Sequence, residues 1–75
     1  MADEEEAQRA ADALALALEE AGFDVGRAFP LLQAAVRRGV PVVEVGLLAP
    51  AVARQLAGLV ARAASRGITV DGLRD

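Results

Sequence analysis

The sequence predicts a mainly α fold: a small bundle of three helices, at about 3–21, 26/30–38 and 50–66, with a short extended segment at 40–45 and a helical turn at the C-terminus. Three observations lead there. Apolar residues recur at helical spacing over 7–21 and again over 52–63. A glycine, a hydrophobic residue, any residue and a valine follow each helix-compatible run, as Gly22-Phe23-Asp24-Val25, Gly39-Val40-Pro41-Val42 and Gly67-Ile68-Thr69-Val70. The hydrophobic content is 55%, yet aromatics are only 3% (Phe23 and Phe29), so the core must be built from Ala, Leu and Val, which let backbones approach closely. The alternative is an α+β fold in which 29–36 is also extended and a central β-hairpin lies between two helices.

The first helix begins in a run of acids, Asp3 to Glu6, set against the positive end of the helix dipole. Ala7, Ala11, Leu14, Leu18 and Ala21 alternate spacings of four and three and form one apolar stripe. The stripe looks like a short coiled-coil seam, but it lacks sustained heptads, and a helix laid on its own domain's core is the preferred reading. Leu16 falls on the opposite side, among Arg9, Asp12, Glu19 and Glu20. Each of the three glycines reads as a left-handed residue just past a helix end, with the following residue folding back onto the last turn; Phe23 is expected against Leu18. Arg37, Arg38 and Arg66 precede two of these stops, where a helix C-terminus favours cations. The unequal glycine spacing argues against a repeat array.

In the middle, Pro30 to Arg38 has a proline at the start and a glycine after the end, the layout of a short helix with Phe29, Leu32 and Val36 on one side. Asp24 offers an earlier cap, with a kink at Pro30. Val40 to Val45 is rich in β-branched residues and contains Pro41, so it reads as an edge strand or extended connector. The third helix, about Pro50 to Arg66, has three sectors: a core face of Val52, Leu56, Leu59, Val60 and Ala63, a cationic side with Arg54, Arg62 and Arg66, and a strip of small residues, Ala53, Ala57, Ala61 and Ala64. After Gly67, Thr69 is a candidate N-cap, and Ile68 and Leu73 have the spacing of a hydrophobic staple.

The 75 residues form a single small helical domain, 1–75, and a chain of this size buries only about 60–65% of its unfolded surface. With no cysteine and no histidine, neither a disulfide nor a structural zinc supplements that thin core. Efficient helix packing or oligomerisation is left.

The same omissions bear on chemistry. There is no His, Cys, Lys, Asn, Tyr or Trp, and the only hydroxyls are Ser65 and Thr69. Neither has a histidine or lysine in the chain to activate it. No catalytic, cofactor-binding or metal residue is therefore expected, no small-molecule substrate, and no enzyme. Asp3 to Glu6 are consecutive on a helix and point in different directions, and nothing matches a calcium-binding loop.

Charge is uneven. Residues 1–22 carry seven acids and one arginine, net −6; residues 23–75 carry four acids and seven arginines, net +3, which together make −3. Solvated faces are the plain reading. The functional one is electrostatic docking of the acidic first helix on arginines of its own chain, a sister chain or another protein. The candidate interaction surface is Ala53, Ala57, Ala61, Ala64, Leu16, Glu19, Glu20, Arg54, Arg62 and Arg66. A non-catalytic adaptor, docking or oligomerisation domain is expected, with a protein partner, the chain itself among the candidates. The acidic start is unlike a signal peptide, and no charge-free run approaches the ~20 residues of a membrane span. A soluble, cytoplasmic chain follows, with no membrane partner. The all-arginine basic set and abundant alanine suggest a GC-rich source genome.

Two resemblances accompany this reading. Val42-Val43-Glu44-Val45, then a helix, then Arg66-Gly67-Ile68-Thr69-Val70-Asp71-Gly72-Leu73 resembles the element order of ribbon–helix–helix repressors and antitoxins, which implies DNA binding. The resemblance covers only the C-terminal half. Its strand offers Glu44 as the sole polar contact, the second helix is truncated, and a pI of 4.8 without lysine suits phosphate neutralisation poorly, so nucleic acid is disfavoured. An acidic N-terminal helix followed by glycine-stopped helices is similar to small adaptor modules, such as docking domains of multienzyme assemblies or effector-associated domains of bacterial defence proteins. No residue is diagnostic of either.

Overall fold

A computed structural model describes residues 2–73. Along the chain run helix α1 (Ala2–Glu20), a single helical turn α2 (Val25–Ala28), strands β1 (Gln33–Arg37) and β2 (Val40–Glu44), helix α3 (Pro50–Ser65) and a 3-10 turn (Val70–Leu73). The chain thus combines helices with a two-stranded antiparallel hairpin. The helix expected over 30–38 is a strand instead, and the α+β alternative describes the middle of the molecule.

The reason lies at both ends of β1. Phe29 precedes a proline, which disfavours the α region for it; its φ of −130° and ψ of 59° stop α2 after one turn. Asp24 does occupy the cap of that turn, but through its backbone, accepting from the N–H groups of Arg27 and Ala28 at 3.0 and 2.8 Å, with no side-chain bond. At the other end, Arg38 and Gly39 have φ of 54° and 78°, and Arg37 pairs directly with Val40. Two positive φ values in a two-residue loop make a type I′ turn, whose twist suits a hairpin. The glycine expected as a helix stop is therefore the second residue of a hairpin turn.

The other two glycines end helices as expected. Phe23 N–H bonds the Leu18 carbonyl and Gly22 N–H that of Glu19, both at 3.0 Å; Ile68 N–H bonds Ala63 at 2.9 Å and Gly67 N–H bonds Ala64 at 3.0 Å. Each pair is the double hydrogen bond of a Schellman motif.

Register runs from Gln33↔Glu44 to Arg37↔Val40. If the turn-closing pair is hydrogen-bonded, alternation makes Val36↔Pro41 a non-hydrogen-bonded pair, so Pro41 removes no ladder bond and sits on an edge strand, where proline is tolerated. Gln33, Arg37 and Glu44 share a face: Gln33 Nε2 donates to Glu44 Oε1 at 3.0 Å, and Arg37 Nε donates to Glu44 Oε2 at 2.6 Å within an ion pair.

A two-stranded hairpin is marginal alone, and α1 supports it by packing along both strands. The buried core is small: Ala7, Ala11 and Leu18 from the α1 stripe, and Phe29. Two alanines in that stripe allow close approach to the strands. Leu14, further along it, is 37% exposed and Ala21 is exposed. Phe23 meets Phe29 edge-on, with ring centroids 5.3 Å apart at 85°, a favourable aromatic geometry. No helix among the described residues is long and apolar enough to cross a membrane.

The three-helix bundle is the second expectation that gives way. α3 has no extended packing against α1, α2 or the hairpin among the described residues, and none of its residues is buried. Of its expected core face, Val52, Leu56 and Ala63 are half-buried, while Leu59 and Val60 remain 42% and 61% exposed. The core belongs to α1, the hairpin and Phe29.

Candidate functional site

The feature that stands out is α3 itself. Its start is fixed by Pro50 in the first turn, a position where the missing N–H costs nothing. Its end is fixed by the Schellman bonds at Gly67. Between them lie sixteen residues with an amphipathic pattern and little of the chain packed against them.

One cleft separates it from the end of α1. Gln55, Gly58, Leu59 and Arg62 of α3 and Ala21, Gly22 and Phe23 at the end of α1 line a space of about 360 Å³. At 3.6 residues per turn, the side holding Gln55, Gly58 and Arg62 lies opposite the strip Ala53, Ala57, Ala61 and Ala64. All four alanines are exposed. Val60 borders the strip on one side and Arg54 on the other, so a continuous surface of small and aliphatic groups faces away from the rest of the chain.

Further exposed aliphatics flank α3 in the sequence. Leu47, just before α3, is 85% exposed; Ile68, Val70 and Leu73, just after it, are 56%, 82% and 71% exposed. The total accessible surface is 5976 Å². A compact protein of 7.7 kDa exposes about 4,300 Å², so this chain shows roughly 1,650 Å² more. The radius of gyration, 13.6 Å, likewise exceeds the ~11 Å of a compact chain of this length.

Of the other expected surface residues, Arg54 borders the strip, and the rest lie away from it. Leu16 is 56% exposed on α1, and Glu19 and Glu20 occupy the exposed last turn of α1. Arg54, Arg62 and Arg66 are exposed on or just after α3. Among the described residues the ion pair is Arg37 with Glu44, and no arginine pairs with a carboxylate of α1. Docking of α1 on arginines of its own chain is not seen. Leu47, Ile68, Val70 and Leu73 were not singled out from the sequence as contact residues; their common signal is aliphatic character in segments that flank a helix without belonging to it.

No group of three or more metal-ligating side chains occurs among the described residues. The chain matches no family model, and neither a curated protein nor a solved structure is significantly similar to it.

Proposed function

We propose that the chain is a non-catalytic protein–protein interaction domain that uses α3 as its contact surface. One observation supports this above the rest: an amphipathic helix holds its alanine strip, Leu59 and Val60 in solvent, although the domain's own core is very small. A patch of exposed apolar surface larger than a few hundred Å² is the usual mark of an interaction site. The composition agrees, since the side chains that perform most nucleophilic and acid–base chemistry are missing.

Against the repressor alternative, β2 is already paired with β1 of the same chain. The reading of α3 as a contact surface is tested by photo-crosslinking. A photoreactive residue replacing Arg54, beside the strip, should give protein adducts in cells, and the same residue replacing Asp12 on α1 should not. Equal or absent labelling at the two positions would remove the basis for it.

A further inference from the structure

We infer that the cleft between α3 and the end of α1 binds a small organic monocarboxylate with a flat apolar body, such as an arylalkanoate. The cleft lies on the side of α3 opposite the alanine strip, so the inference goes beyond the contact reading and is tested apart from it.

Charge complementarity names the ligand's head group. At about 360 Å³ the cleft falls in the range of small-molecule sites, which combine apolar walls with a few polar groups. Arg62 is the one lining residue that ionises, and no acid lines the cleft with it. Among the described residues the ion pair is Arg37 with Glu44, and neither the Arg62 guanidinium nor the Gln55 amide is engaged in a hydrogen bond. A guanidinium fork with its donors unused matches a carboxylate through two parallel hydrogen bonds. A second negative charge is disfavoured, because α1 ends at the same cleft. Its last turn carries Glu19 and Glu20 and no basic residue, so the negative end of the dipole is not offset there.

The walls name the rest of the ligand. Phe23 and Leu59 supply apolar surface. The Phe23 ring stands edge-on against Phe29, which is 3% exposed, so this wall is anchored in the core.

Gly58 is not called for by the fold. A Cβ there meets nothing within 4 Å and its φ is not left-handed, yet glycine is the poorest helix former after proline. What it does is bare the backbone between Gln55 and Arg62, which stand seven residues and about 10 Å apart along the helix. A local rule broken without structural return is expected at a functional position. The carboxylate thus sits on Arg62, the apolar body lies over Gly58 between Phe23 and Leu59, and the far end reaches Gln55, whose amide both donates and accepts. No nucleophile or general base lines the cleft, so the ligand is held and not transformed.

The probe is hydrocinnamate. For a ligand of about a dozen heavy atoms in an open site the dissociation constant should be about 1–10 mM. Amide NMR should show saturable shifts at Phe23, Gly58 and Leu59 and at the Arg62 side chain, with Ala53 and Ala57 unmoved. Hydrocinnamyl alcohol, which lacks the charge, acetate, which lacks the ring, and phenyl phosphate, which carries a second charge, should all bind more weakly. Arg62→Gln should weaken hydrocinnamate roughly tenfold. Gly58→Leu should abolish the saturable shifts by filling the cleft, with circular dichroism confirming that the helix is retained. Arg54→Gln, on the same helix but outside the cleft, should bind like the unmodified chain.

Absence of saturable shifts at tens of millimolar would overturn the inference, as would equal binding of the alcohol or tighter binding of phenyl phosphate. Equal losses from Arg62→Gln and Arg54→Gln, or unaltered binding to Gly58→Leu, would do the same. Crosslinking from position 54 is read independently, so a failure of the cleft leaves the contact reading standing, and a failure of the contact reading leaves the cleft.

Discussion

Leu31 occupies the space that a side chain on Gly46 would need: a Cβ built on Gly46 would lie 2.5 Å from the Leu31 Cβ. The two residues continue the hairpin register two steps beyond Gln33↔Glu44. Gly46 also has a φ of +81°, which an L side chain rarely adopts. The absence of a side chain is needed twice over at the point where the chain leaves the hairpin for α3.

Gly46→Ala should therefore destabilise the fold by about 2 kcal/mol or more, combining the left-handed backbone with overpacking against Leu31. Urea unfolding followed by circular dichroism reads this directly. A change under about 0.5 kcal/mol would show that the connector shifts freely and that the Leu31 contact does not define it.

The turn of the hairpin offers the opposite experiment. Arg38 adopts φ 54°, in the first position of a type I′ turn where asparagine is favoured. Arg38→Asn should stabilise by a few tenths to about 1 kcal/mol, with the hairpin register unchanged. If the variant is less stable, the arginine side chain contributes something that its exposed position does not reveal.

These two sites also explain what could be read in the sequence. The α1 stripe was legible because Ala7, Ala11 and Leu18 are periodic and buried in the same element, and Gly22 and Gly67 were legible because a Schellman glycine follows a long helical run. Gly39 misled because a helix C-terminus and a type I′ turn make the same demand, a positive φ. What separates them is the conformation of Arg38, and an arginine gives no local sign that it will be left-handed. Gln33 to Arg37 is alanine-rich and helix-compatible, and becomes a strand through pairing with Val40 to Glu44 and packing under α1. Tertiary contact overrides a weak local preference there. The alanine strip on α3 was visible as a pattern, but periodicity says which residues share a face and not what covers it. Only the placement of α3 shows that its own chain leaves the strip open.

Gly58 provides a check on that placement. It lies within α3, and a Cβ added there meets nothing within 4 Å. Helix interiors favour alanine over glycine by about 0.8–1.0 kcal/mol, so Gly58→Ala should raise both helicity and the unfolding midpoint. A loss of stability would mean that something sits close against Gly58, and that α3 meets its surroundings on the cleft side instead of through the alanines.

The charge distribution separates protein association from DNA binding. Glu19 and Glu20 lie in the exposed last turn of α1, where no basic residue offsets the negative end of the dipole. If α1 docks on an arginine-bearing surface of a partner, reversing both to arginine should weaken association, with an effect that fades as salt screens the charges. If the chain binds DNA, the same reversal should tighten binding by removing repulsion from phosphates, and Arg54→Ala or Arg62→Ala should loosen it and flatten the salt dependence. The reversal also places cations at the helix C-terminus, so the variant should fold at least as well as the original and misfolding should not confuse the comparison. Titration of the variant and the unmodified chain, each against itself and against generic duplex DNA at two salt concentrations, reads opposite signs for the two cases. Sequence-specific duplex binding by the unmodified chain at physiological salt would replace the interaction reading with the repressor one.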